Sequence, residues 1–259
     1  MKAVILCGGL GTRLRQETEF RPKPTIEIGP RPILWHIMKL FAHFGHEDFV
    51  LALGYKGEVI RDYFLNYDAL TQDVTVKLGG QPSVQIHGTS PESWTITMVD
   101  TGQQSMTGAR VKRLQRYVND EMFLLTYGDG VADVDLDALL AFHRAHGRIA
   151  TVTGVRPPSR FGELVVDGSR VIEFSEKPSI SGAGFINGGF FVFNRQVFDY
   201  LTEDDDCVLE RGPLERLALA GELRMFMHEG YWQCMDTPRD LEALQMAWQQ
   251  GAPWKLWRD

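Results

Sequence analysis

A chain of 259 residues, 44% of them hydrophobic, is long enough to bury a sizeable core as one large α/β domain or two small ones. Its net charge of −7 argues against a general nucleic-acid binder, and its three scattered cysteines argue against a disulfide framework or a structural zinc. No apolar run reaches the ~18 residues that span a membrane, and the N-terminal apolar stretch falls short of the ~7–15 of a secretory signal, so a cytoplasmic protein is expected.

In chain order, Val4-Ile5-Leu6 reads as a buried strand that opens into the loop Gly8-Gly9-Leu10-Gly11-Thr12-Arg13. Ile33, Leu34, Ile37, Met38, Leu40, Phe41 and Phe44 recur at helical spacing, which predicts a helix from Pro32 to Phe44, closed by Gly45. A second strand follows over Phe49-Val50-Leu51-Ala52-Leu53, then a helix through Val59, Ile60 and Phe64. Short alternating runs predict a β-rich excursion over about residues 73–99, and helical spacing returns at Val111, Leu114 and Val118. Phe123-Leu124-Leu125 is a buried strand ending in Tyr127-Gly128-Asp129-Gly130, followed by a helix over Leu136 to His146 and a strand over Ala150 to Val155. Leu164 to Ile172 carries a hairpin signature with an Asp-Gly turn, Phe190 to Phe193 is a strand, and helices are expected around Pro213–Ala220 and Pro238–Gln249.

This alternation predicts an α/β fold: a doubly wound, mainly parallel (mixed) Rossmann-like sheet with a β-rich part for an acceptor substrate. No repeat or linker interrupts the chain, so we expect a single domain over 1–259. About 1–135 would form one half and about 136–259 the other, which carries the C-terminal helices. Ligands in such sheets sit beyond the carboxyl ends of the strands, where the Gly8 loop and the Asp129 turn both lie.

Three constellations carry chemistry. A strand that opens into a glycine-rich loop brings backbone N–H groups close to a polyphosphate, and Arg13 and Lys23 can balance charge on its leaving phosphates. The spacing fits neither a dinucleotide fingerprint nor a P-loop, which lowers the standing of an NAD-dependent oxidoreductase. Asp129, flanked by glycines at a strand end, suits Mg²⁺ shared with substrate phosphates, although an Asp-Gly turn is the plainer alternative. Before a predicted helix, Ser105, Gly108 and Arg110 offer a donor and acceptors suited to a cytosine face, against the alternative of a helix start with an exposed arginine.

The motif G-G-x-G-T-R-L after an N-terminal strand, with Arg21-Pro22-Lys23-Pro24 shortly after, resembles the sugar-nucleotide pyrophosphorylases, a nucleotidyltransferase family. Pro32 to Met38, Thr126 to Asp133, Ile186 to Asn194 and Gly251 to Lys255 extend the resemblance to the glucose-1-phosphate cytidylyltransferases over essentially the whole chain. Cys7 departs from the pattern, since alanine is usual before the glycine pair; a small buried side chain adds no chemistry, but it stands close enough to the triphosphate loop to raise the question of thiol sensitivity.

The resemblance implies that Leu6, Gly8, Gly9, Leu10, Gly11, Thr12, Arg13 and Lys23, with Tyr127 and Gly128, bind the nucleotide, and that Arg13, Lys23 and Asp129 are catalytic. It pairs Asp129 with Asp236 as metal carboxylates, although Asp236 could instead cap the helix near Pro238. It also implies a sugar-phosphate site of Gly162, Glu176, Lys177, Asn187 and Gly188. The activity it implies is CMP transfer from CTP to α-D-glucose 1-phosphate. A dTTP- or UTP-dependent relative and a catalytically silent sugar-nucleotide sensor remain alternatives. The family forms homo-oligomers, here a trimer or hexamer, with the 73–99 excursion and the Trp-rich tail as contact surfaces. His36, His143 and His146 lie in helices without metal spacing and read as structural, and Trp254 and Trp257 read as packing residues.

Overall fold

Seven strands form the main sheet, in the order Leu223–His228, Ala150–Val155, Ile186–Asn194, Met122–Tyr127, Lys2–Leu6, Asp48–Leu53 and Thr95–Asp100. The computed structural model describes residues 1–156, 163–167, 170–175 and 184–258. Every strand of this sheet runs parallel to its neighbours except Ile186–Asn194, which is antiparallel to both of its own. The sheet is therefore mixed but mostly parallel, and strands from both halves of the chain share it.

Period-two alternation decides what each face buries. Ala3, Ile5, Phe49, Leu51, Leu124, Phe190 and Val192 enter one core cluster with the helix Ile33–His43. Val4, Leu6, Val50, Ala52, Phe123, Leu125, Phe191 and Phe193 enter the other. Both faces are covered, which is why these strands read as continuous apolar runs rather than alternating ones.

The first cluster holds the Trp-rich tail. Trp254 and Trp257 are 1% and 6% exposed and pack edge-on or tilted against His36. His36 sits with Nε2 2.9 Å from the Ile28 carbonyl, while Trp254 Nε1 donates toward its Nδ1. One ring nitrogen donates and the other accepts, so the ring is neutral, and burial pushes its pKa down to about 4. Trp254 and Trp257 are thus buried against their own chain as packing residues.

Two other expectations change. Thr95–Asp100 does not belong to the β-rich excursion; it is the edge strand of the main sheet, parallel to Asp48–Leu53. The excursion reduces to a hairpin of Asp73–Lys77 with Ser83–His87, all ten residues exposed. The helix expected through Val118 is Thr107–Arg113, and Leu114 and Val118 are buried in the turns after it. The helices Gly57–Leu65, Leu136–His146, Pro213–Leu219 and Pro238–Gln249 and the antiparallel pair Glu163–Asp167 with Arg170–Ser175 form as their patterns predict. Among the described residues, no helix is long and apolar enough to cross a membrane.

Candidate active site

The chain reverses its direction of progress across the sheet at Lys2–Leu6, with Asp48–Leu53 on one side and Met122–Tyr127 on the other. Such a switch point opens a crevice at the carboxyl ends of the strands. A cleft of about 420 Å³ lies there, lined by Leu6, Gly8, Gly9, Leu10, Gly11, Thr12, Lys23, Ser105, Arg110, Tyr127, Gly128 and Asp129 among others. Gly11, at φ +62°, turns the loop into the short helix Thr12–Leu14, and Thr18 Oγ1 donates to its carbonyl at 3.0 Å.

Arg110 props this loop from below. It is 4% exposed, so it is not the exposed arginine of a helix start. Its Nη1 donates to the Leu53 and Gly102 carbonyls and to Thr101 Oγ1 at 2.7–3.1 Å, and its Nη2 donates to the Gly8 carbonyl at 2.9 Å. A side-chain carbon on Gly8 would lie 2.2 Å from this guanidinium, so glycine there is a packing requirement. Burial lowers the Arg110 pKa from its ordinary value.

Gly108 does not line the cleft. It stands behind it, where a side chain would meet the Cys207 sulfur at 2.6 Å. Ser105 Oγ lies 2.7 Å from both the Thr101 carbonyl and Asp205 Oδ1, and its single hydrogen serves one of them at a time.

The carboxylate side depends on a short antiparallel ladder. Gly130–Ala132 pairs with Trp232–Cys234, and Met235 N donates to the Asp129 carbonyl at 2.8 Å, so the two chain segments carrying Asp129 and Asp236 lie together. Lys23 Nζ is 2.8 Å from Asp129 Oδ2 and 2.6 Å from Asp236 Oδ1, and Arg13 Nη1 is 3.1 Å from Asp236 Oδ2. Burial opposes the charge on Lys23, but the two carboxylates outweigh it and raise the lysine pKa. Thr237, not Asp236, caps the helix Pro238–Gln249, in a capping box with Asp240.

Two carboxylates that share one ammonium are close enough to share one divalent cation. Hard oxygen donors beside a phosphate-sized cleft suit Mg²⁺, which completes its shell from substrate oxygens and water. Among the described residues no group of three or more His, Cys, Asp or Glu side chains stands ready for a metal, so the ligand set would need those substrate oxygens.

A smaller cleft adjoins the first and includes Asn187, Gly188, Gly189, Trp232 and Cys234; Tyr127 and Asp129 line both. Trp232 Nε1 donates to the Gly188 carbonyl at 2.7 Å. The remaining sugar-site residues, Gly162, Glu176 and Lys177, lie outside the described residues.

Sequence reasoning missed Gln103, Gln104, Met106 and Thr107 in the lining and the whole supporting segment from Glu203 to Glu210. That segment supplies the carbonyls of Asp205 and Cys207 to the amides of Met106 and Ala109, at 2.8 and 3.1 Å. No local motif marks it, because its partners are about a hundred residues away. Cys7 is buried in the cleft wall, where burial raises its thiol pKa, so the reactive thiolate is suppressed.

Comparison with known proteins finds relatives over nearly the whole chain. Residues 2–250 match the family model described as nucleotidyl transferase. The chain is 52% identical to glucose-1-phosphate cytidylyltransferase of Salmonella typhi, over 99% of this chain and 100% of the relative. It is 46% identical to a probable glucose-1-phosphate cytidylyltransferase of Bacillus subtilis (strain 168), over 99% and 100%. Among solved structures, HddC from Yersinia pseudotuberculosis superposes with a TM-score of 0.70 at 22% identity, covering 95% of this chain and 99% of the other. The inositol-1-phosphate CTP transferase from T. maritima superposes at 0.65 with 17% identity, covering 96% of each chain, and both likenesses speak to the fold alone. The chain belongs to the nucleotidyl transferase family.

Proposed function

We propose that the protein transfers CMP from CTP to α-D-glucose 1-phosphate, giving CDP-glucose and pyrophosphate. One observation carries the substrate assignment: the similarity to the curated glucose-1-phosphate cytidylyltransferases runs the full length of both chains. The adjoining clefts support the chemistry, because Tyr127 and Asp129 line both.

In this reading the larger cleft takes CTP. The amides of the loop from Gly8 to Thr12 cradle the triphosphate, and Arg110, with Ser105 and Gly108 behind it, shapes the base end. Arg110 contacts cytosine by exchanging one of its carbonyl partners for the O2 or N3 acceptor of the base. The smaller cleft takes the sugar phosphate, with Asn187 and Gly188 at the ring and Gly162, Glu176 and Lys177 completing the site.

The sugar phosphate attacks the α-phosphorus in line, forming one P–O bond as the bond to pyrophosphate breaks. The nucleophile is already an anion, so no general base is needed, and the problem is to bring two anions together. Lys23 and Arg13 stabilise the charge that develops on pyrophosphate, and Lys177 holds the attacking phosphate. Asp129 and Asp236 would hold Mg²⁺, which when bound neutralises and aligns phosphate oxygens. Lys23, held between the two carboxylates, is placed to turn to the phosphates as they arrive.

The chain acts as one domain, with a nucleotide half over about 1–135 and a sugar-phosphate half over about 136–259, in the cytoplasm. The hairpin over 73–87 exposes Val74, Val76, Leu78, Val84 and Ile86, which supports a homo-oligomer, a trimer or hexamer, with this face covered. A monomer in light scattering would remove that part of the reading. The activity is tested by the product: with CTP and Mg²⁺, glucose 1-phosphate should give CDP-glucose by mass spectrometry, well ahead of mannose 1-phosphate. Absence of CDP-glucose from the glucose 1-phosphate reaction would overturn the assignment.

A further inference from the structure

We propose that Glu210 is a positioning residue for the acceptor sugar phosphate, acting through Tyr127 on the side-chain amide of Asn187. The inference rests on the reading of the smaller cleft as the acceptor site.

Glu210 lies just before the helix Pro213–Leu219, half-buried. Both of its carboxylate oxygens are engaged. Oε2 accepts from Thr107 Oγ1 at 2.6 Å, and Oε1 accepts from the Tyr127 hydroxyl. The Tyr127 oxygen in turn accepts from Asn187 Nδ2 at 3.2 Å, and Asn187 Oδ1 accepts from Gly189 N at 2.8 Å. Thr107 is itself fixed, since its Oγ1 accepts from Leu209 N at 2.9 Å. The chain of bonds therefore runs from Thr107, at the first turn of the helix Thr107–Arg113 beside the nucleotide cleft, to Asn187 in the acceptor cleft.

The direction of these bonds explains why the residue is a glutamate. An ionised carboxylate can only accept, so the hydrogens of Thr107 and Tyr127 must both point at it. The phenol hydrogen is then committed, and the phenol oxygen is left as an acceptor for Asn187. That leaves the amide a single orientation, with its nitrogen toward Tyr127 and its oxygen toward Gly189 N. A ligand entering the smaller cleft meets an amide whose second N–H is already set. Glutamine at 210 would place an N–H against one of the two donors and break the polarity at its source.

Glu210→Gln tests this by steady-state kinetics with CTP and glucose 1-phosphate, combined with Asn187→Ala in a double-mutant cycle. The KM for glucose 1-phosphate is expected to rise about tenfold while the KM for CTP stays within about twofold. In the Asn187→Ala background the further rise should vanish, because the amide it acts through is gone. Thr107→Val, which frees the far end of Glu210 without altering its charge, should give a smaller rise in the same direction. A second readout needs no turnover: the Asn187 side-chain amide signals of the ligand-free protein, assigned by their loss in Asn187→Ala, should shift in Glu210→Gln. Equal rises in both KM values, a full-sized effect in the Asn187→Ala background, or unmoved amide signals would each overturn the proposal. Wild-type protein that turns over neither substrate would instead overturn the proposed function, and the amide signals would still decide the role of Glu210.

Discussion

The glycine side of the cleft is held by main-chain groups, and the carboxylate side by charged side chains. On the first, Arg110 gathers the carbonyls of Gly8, Leu53 and Gly102 into one buried cluster, with 2.2 Å between its guanidinium and any added carbon on Gly8. On the second, Lys23 bridges Asp129 and Asp236, which stand 106 and 213 residues away along the chain. A buried guanidinium that donates to four carbonyl and hydroxyl oxygens holds the loop in shape before a ligand enters, and one carbonyl can yield to the base without undoing the rest. Charge pairs at the edge of a cleft can exchange partners when phosphates arrive. In the proposed reading the glycine loop is formed before substrate arrives, whereas Lys23, Arg13, Asp129 and Asp236 balance one another until phosphates displace them.

The largest expected effect is on the charged side. Asp129→Asn should lower turnover about 10²–10³-fold while leaving the melting temperature nearly unchanged, since Lys23 keeps Asp236. Turnover close to wild type with Mg²⁺ would remove Asp129 from the reaction. Asp236→Asn should behave alike, with Asp129 then the remaining partner.

The glycine side should fail differently. Gly8→Ala forces Arg110 from its carbonyls and should cost about 1–3 kcal/mol of stability, together with CTP affinity. Gly9→Ala is the control, because a side-chain carbon there meets nothing within 4 Å, and about 0.5 kcal/mol or less is expected. Equal losses from the two variants, in urea unfolding, would show that the loop is not held as described.

Acid loads the scaffold that both sides share. His36 protonates near pH 6.5 in the unfolded chain but only at about 4 in the folded protein. Its contribution is therefore complete above pH 6.5 and declines as pH falls toward 4, by about 2 kcal/mol near pH 5. Denaturant midpoints at about pH 7.5 and about pH 5 measure this slope, and His36→Gln should remove part of it. A smaller effect than these is expected at Thr237, the cap of the helix that follows Asp236, although a larger one than at the Gly9 control. Thr237→Ala should cost about 1 kcal/mol and slow turnover only about twofold, and no loss of stability would mean that the capping box does not anchor this end.

The glycine loop was legible in the sequence because its chemistry is contiguous: a buried strand, close glycines and nearby basic residues announce a phosphate cradle. The main sheet was legible for a similar reason, since strands buried on both faces leave unbroken apolar runs such as Phe123 to Leu125. Thr95–Asp100 was misassigned because an edge strand, covered less completely, alternates like a hairpin strand. The ladder between Gly130–Ala132 and Trp232–Cys234 was not legible, because three-residue strands carry too little pattern. Glu210 was hidden for another reason: its partners, Thr107 and Tyr127, are 103 and 83 residues distant, and only folding brings them together.

The central reading, a preformed cytidine cleft serving a charge-balanced transfer site, is tested most directly by pyrophosphate release from the wild-type protein. The measurement compares CTP, UTP, dTTP and ATP side by side with Mg²⁺ and glucose 1-phosphate. CTP is expected to exceed the other three by at least about tenfold in kcat/KM. Equal rates with UTP or dTTP would contradict cytosine selection at Arg110 and leave the transfer chemistry standing; no release from any of the four, despite nucleotide binding, would contradict the transfer itself.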